Sequence, residues 1–223
     1  MKKDAKWVVI LLATGALASP GCQPGEEATS EVSDQALGFK GSSLGMVVDN
    51  ATGNATVSNA DTNTLLGTVQ GLGGRTDSGD CSITPDGTKG FFTRRNARVT
   101  VVDLTTTVPS LAGAPNPISN FGSDTALSPD GKFLVVCEAG GFDPMSVIDV
   151  ATQTLVSTFP AGGDCNSVDI CSNGSVLITS TLNKTLRRLT LSPSGVLSST
   201  GESVAVSNPD NVYCSPTRPP PSS

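Results

Sequence analysis

Between residues 126 and 160 the apolar positions fall into short bursts separated by turn residues. Ser128-Pro129-Asp130-Gly131 has the composition of a tight turn. Proline presets φ, aspartate bonds nearby backbone and glycine accepts positive φ. Phe133–Cys137 follows as a continuous apolar run. It is β-branched and too short for a helix, which predicts a buried strand. Gly140–Pro144 breaks the run, and Met145–Val150 is the next strand, ending in a turn-prone patch through Gln153. Leu155–Phe159 alternates apolar and polar, as an outer, half-exposed strand does. Short strands joined by such turns make an antiparallel meander rather than a βαβ unit.

This unit recurs. Thr84-Pro85-Asp86-Gly87, Ser128-Pro129-Asp130-Gly131, Cys171-Ser172-Asn173-Gly174 and Cys214-Ser215-Pro216-Thr217 follow one another at nearly constant spacing. The third strand recurs too, as Val99–Asp103, Ser146–Asp149 and Arg188–Thr190, with a copy earlier in the chain at Val57–Thr64. Periods of about 40–45 residues with four short strands each mean propeller blades. The sequence therefore predicts an all-β fold: a β-propeller of about four blades of four antiparallel strands, incomplete as an open or truncated ring. The blades span 37–70, 80–121, 123–160 and 166–206, with the start of a fifth at 211–214. A closed four-bladed ring is the alternative.

The stretch Ser128–Gly141 with Met145–Gly163 resembles the bacterial YVTN-type β-propeller repeat, strongly there and weakly over the rest of 37–216. The Tyr-Val-Thr-Asn signature itself is absent; Phe92–Arg95 and Val136–Glu138 stand in its place. The resemblance implies a seven-bladed relative, and a superfamily that includes lactonases and quinoprotein-type dehydrogenases.

Composition narrows the function. Aromatic residues make up 4% of the chain, so Val, Leu and Ile must build the core. The formal charge is −6, the wrong sign for a nucleic-acid partner. There is no histidine, which counts against haem, copper, most catalytic zinc sites and a Ser-His-Asp triad. No cofactor is expected.

Residues 1–22 read as an export signal: a basic start, then an apolar run from Trp7 too short to span a bilayer. Ser19-Pro20-Gly21-Cys22 resembles a lipobox, which would make Cys22 an acylated anchor; Ala16-Leu17-Ala18 fits cleavage for soluble secretion instead. Residues 23–36 form an acidic, polar linker, and 217–223 a proline-rich tail. Either ending exports the protein, as a lipoprotein in the periplasm or on the cell surface, or as a secreted protein.

Export permits disulfides. Cys165 and Cys171 could pair locally, or Cys81 with Cys137 across adjacent blades. The connections between blades carry Asp77, Asp80, Asp124, Asp164, Asn166, Asp210 and Asn211. Among them Asp80, Asp124, Asp164 and Asp210 are candidates for a hard cation, against the plainer reading that Asp and Asn shape turns. Arg95, Arg98 and Lys184 join Asp77, Asn166 and Asn211 as candidates for the ligand face. The first functional expectation is a non-enzymatic binding or scaffold module with a protein or carbohydrate ligand. The rivals are a lactonase-like or quinoprotein-like propeller enzyme and a non-functional gene fragment.

Overall fold

The computed structural model describes residues 43–49, 52–70, 78–94, 98–113, 116–139 and 144–215. The expected export signal, Cys22, the acidic linker, Asp77, Arg95 and the 217–223 tail lie outside the described residues.

Every described element is a strand, and the strands form four antiparallel sheets in chain order. The first sheet holds β1 (Leu44–Val48), β2 (Ala55–Asn59) and β3 (Thr64–Val69). The second holds β4 (Ser78–Ile83), β5 (Lys89–Arg94), β6 (Arg98–Asp103) and a broken outer edge of β7 (Ser110–Leu111) and β8 (Asn116–Pro117), both on β6. The third is β9 (Phe121–Leu127), β10 (Phe133–Ala139), β11 (Pro144–Asp149) and β12 (Thr154–Pro160). The fourth is β13 (Ser167–Ile170), β14 (Ser175–Ser180), β15 (Thr185–Leu191) and β16 (Leu197–Ala205). Phe121 and Gly122 thus belong to the third sheet, on a bulge that sets Glu138 opposite Gly122.

The turns take the conformation their residues dictate. Asp130 Oδ1 accepts from Ser128 Oγ at 2.6 Å and from Lys132 N–H at 3.1 Å, and Gly131 sits at φ +67°. Asp86 binds Thr84 and Thr88 in the same way. In the fourth sheet Asn173 replaces the aspartate and still accepts from Ser175 N–H at 3.0 Å. The repeated Asp-Gly pairs therefore act as turn formers.

Three apolar cores separate the sheets. Met46, Val57, Phe92 and Leu104 fill the first junction; Phe91, Val101, Leu134 and Ile148 the second; Val135, Met145, Val147, Ile178 and Leu189 the third. A strand between two such cores has both faces buried, which explains the unbroken apolar run of Phe133–Cys137. Contacts pass from each sheet to the next, and none of substance joins the first to the fourth among the described residues. The sheets form an open arc, not a closed four-bladed ring. Residues 211–214, expected to begin a fifth strand, enter no ladder among the described residues.

Candidate functional site: the inner-strand carboxyl ladder

β4, β9 and β13, the first strands of their sheets, pack side by side as the inner wall of the arc. One rule joins them. The residue four places before each turn accepts a hydrogen bond from an amide 44 or 45 residues further along the chain. Asp80 Oδ2 accepts from Thr125 N–H at 3.2 Å and from its hydroxyl at 2.9 Å. Asp124 Oδ2 accepts from Val168 N–H at 2.8 Å. Ser167 Oγ accepts from Val212 N–H at 3.2 Å.

Asp80 and Asp124 also converge. The Thr125 amide that reaches Asp80 lies 2.9 Å from Asp124 Oδ1, so two carboxyl groups share one donor. Asp80 Oδ1 is buried with no hydrogen-bond donor among the described residues. Two buried acceptors facing each other need a proton between them. Burial, then the adjacent Asp124 charge, push the Asp80 carboxyl up to about 8. Asp80 is accordingly the protonated member at neutral pH and donates to Asp124. Burial also raises Asp124, although Ser167, Asp80, Val168 and Thr125 all donate to it and oppose the rise.

The other sequence candidates lie apart from this pair. Burial works to raise the Asp164 carboxyl, but donors from Ser180, Thr181 and Leu182 outweigh it and hold it below the usual range. Asp164 thereby shapes the turn between β14 and β15. Asn166 Nδ2 donates to Asp210 Oδ1 at 3.1 Å, and Thr179 Oγ1 to its carbonyl at 2.7 Å. Arg98 opens β6, and Lys184 lies in the turn before β15 at φ +52°; both are exposed, as is Asn211. Among the described residues no three carboxylate or cysteine groups converge as a metal-ligand set.

The cysteines pair differently from either expectation. Cys137 is bonded to Cys165 and Cys171 to Cys214, with Cα separations of 5.2 and 5.1 Å. Cys165 and Cys171 flank β13, and an extended strand rises about 3.3 Å per residue. Their α-carbons are thus far beyond the roughly 7 Å that a disulfide can span. Each instead reaches a neighbouring repeat.

Sequence reasoning missed two participants. Glu138 is fully buried at the end of β10 and accepts from Asn120 N–H and Ser146 Oγ. The only signal was a charge ending an apolar run, where the YVTN signature would stand. Asp169 accepts from Ile170 N–H at 2.8 Å and from Cys214 N–H at 2.5 Å. Nothing in its local sequence marks it.

Sheets stacked around a wall of first strands define a β-propeller, and solved structures agree. A functionally unknown protein from Desulfotomaculum acetoxidans is 23% identical, with a TM-score of 0.64 over 73% of this chain and 51% of its own. The dihydro-heme d1 dehydrogenase NirN is 18% identical, with a TM-score of 0.59 over 73% of this chain and 35% of its own. The Cps50 (Swd1) β-propeller domain of Myceliophteria thermophila is 12% identical, with a TM-score of 0.54 over 70% of this chain and 52% of its own. These likenesses show the fold alone, and the chain spans about half the length of the first of them. No family model and no curated protein matches the sequence.

Proposed function

We propose that this chain is a binding or scaffold module, of the YVTN repeat type, exported to the bacterial cell envelope. The observation that carries this reading is the state of the inner-wall acids. Asp80 and Asp124 accept the amides of the following inner strands, so they act as structural clasps. Binding then falls to exposed groups at the end of the fourth sheet. There Tyr213, 52% exposed, stands with Asp210 and Asn211. An aromatic face beside amide and carboxyl groups suits a carbohydrate or a polar protein surface. The two disulfides favour an oxidising compartment. Acylation of Cys22 would supply the membrane anchor.

The rival is a lactonase-like propeller enzyme. A lactone-hydrolysis assay on the purified chain separates the two. No turnover above buffer is expected, and turnover that depends on Asp80 or Asp124 would overturn the binding-module reading. In parallel, the chain should be retained on isolated envelope polysaccharide and released by Tyr213→Ala. The intact mass of the membrane fraction should carry the acyl chains on Cys22.

A further inference from the structure

The clasp between inner strands needs no charge. Ser167 Oγ accepts from Val212 N–H just as Asp124 accepts from Val168 and Asp80 from Thr125. Two adjacent carboxyl groups in the wall are therefore more than the clasp requires. The surplus is one particular atom. Asp80 is 9% exposed, and its Oδ2 takes both bonds from Thr125. Its Oδ1 is buried and has no donor among the described residues. The same carboxyl comes within hydrogen-bonding reach of Asp124, so the unused oxygen belongs to the pair and not to solvent. An acceptor in that position calls for a positive charge beside it.

The chain itself does not supply that charge. Among the described residues the ion pairs are Lys132–Asp130 and Arg188–Glu202, and neither reaches the inner wall. The atoms around the pair are oxygen donors. Thr125 Oγ1 lies 2.9 Å from Asp80, and the Ser167 hydroxyl is bonded to Asp124. Carboxyl and hydroxyl oxygens are the ligands that hard cations take. The pair is approachable from one side, because Asp124 and its neighbour Ser123 are only half-buried. The negative field also extends to the surface. Burial, then the charges of Asp124, Asp80, Asp169 and Asp210, push the exposed Tyr213 hydroxyl up.

We propose that Asp80 and Asp124 together bind one hydrated divalent cation of the Mg²⁺ and Ca²⁺ class, at the junction of β4 and β9. Two carboxyl groups suffice for such an ion. Mg²⁺ keeps several of its waters, and Ca²⁺ accepts irregular shells of oxygen. Both acids are ionised when the ion is bound, and the proton they share without it passes to solvent. The ion then ties the inner strand of the second sheet to that of the third. Asp164 and Asp210 are not part of this site, since the β14–β15 turn holds the first and Asn166 the second.

Calorimetric titration of the full chain with CaCl₂ and, separately, MgCl₂ at mildly alkaline pH tests this. One ion per chain is expected, with a Kd for the better ion on the order of 10⁻⁴–10⁻³ M, the range of extracellular modules. Asp80→Asn keeps the acceptor for Thr125 and should weaken binding by about tenfold or more. Asp124→Asn should do the same, while Asp164→Asn should leave the affinity unchanged. Mn²⁺, a paramagnetic ion with the same ligand preference, gives a reading that needs no variant. Added to the parent chain, it should broaden the Thr125 and Val168 amide signals before all others. No binding of either ion at millimolar concentration, an affinity unchanged in both Asp80→Asn and Asp124→Asn, or broadening centred on other acids would each overturn the proposal.

Discussion

At the scale of single residues the acids divide into two kinds. Asp86, Asp130, Asp149 and Asp164 sit in turns, where local donors hold each carboxyl below its ordinary range. Asp80 lies in the inner wall, where burial and Asp124 push it the opposite way. The consequence for stability has a definite sign. The folded chain keeps a proton on Asp80 that the unfolded chain loses near pH 4. The stability from this group is thus complete below the unfolded value and drains away as pH rises toward about 8. The slope is at most about 1.4 kcal/mol per pH unit. Urea unfolding at pH 5.5 and 8.5 should show the parent less stable at the higher pH. Asp80→Asn keeps an acceptor for Thr125 and a donor for Asp124 but cannot ionise, so it should flatten that difference. An equal pH dependence in both proteins would refute the shared proton.

At the scale of elements, close approach decides what each strand tolerates. Gly122 enters β9 beside Thr93 of the second sheet, and a β-carbon there would lie 2.5 Å from Thr93 Cβ. Thr93 cannot step aside, because it is buried and its hydroxyl oxygen accepts from Asp80 N–H at 3.0 Å. Gly122→Ala should therefore destabilise by about 1–3 kcal/mol, the usual range for overpacking a fixed site. A urea midpoint equal to that of the parent would show that the two sheets can part without cost. Gly174, whose added β-carbon would meet nothing, is the control for space, although its φ of +79° still strains any replacement.

At the scale of the whole molecule, the arc is held by three apolar junctions and two cross-repeat disulfides. The Cys137–Cys165 bond closes a separation of 28 residues and Cys171–Cys214 one of 43. Loop-closure entropy gives about 3.5–4 kcal/mol for each. Replacing either pair by alanine should lower stability by a similar amount in guanidinium unfolding under non-reducing conditions. The Cys171–Cys214 loss should in addition free residues 211–214 from β13. The end faces differ from the junctions. Thr56 and Ser58 lie on the outward face of the first sheet, and the Arg188–Glu202 ion pair on the fourth. Such polar outer faces keep a repeat array soluble.

Much of this was legible along the chain. The Ser-Pro-Asp-Gly turns, the apolar runs and their pitch determined four sheets in order, because turn conformation and strand pairing are local consequences of residue type. Asp130 and Asp149 proved to be turn residues for the same reason. The tertiary structure alone decided what meets across repeats. Asp80 bonds Thr125, and Cys137 bonds Cys165, at separations that no local pattern encodes. Asp80 and Asp124 look alike in sequence to Asp164, yet burial between inner strands gives the pair a shared proton while open turn geometry gives Asp164 donors from three residues of its own turn. Sequence sets the blades; the stacking of one blade on the next sets the chemistry of the wall between them.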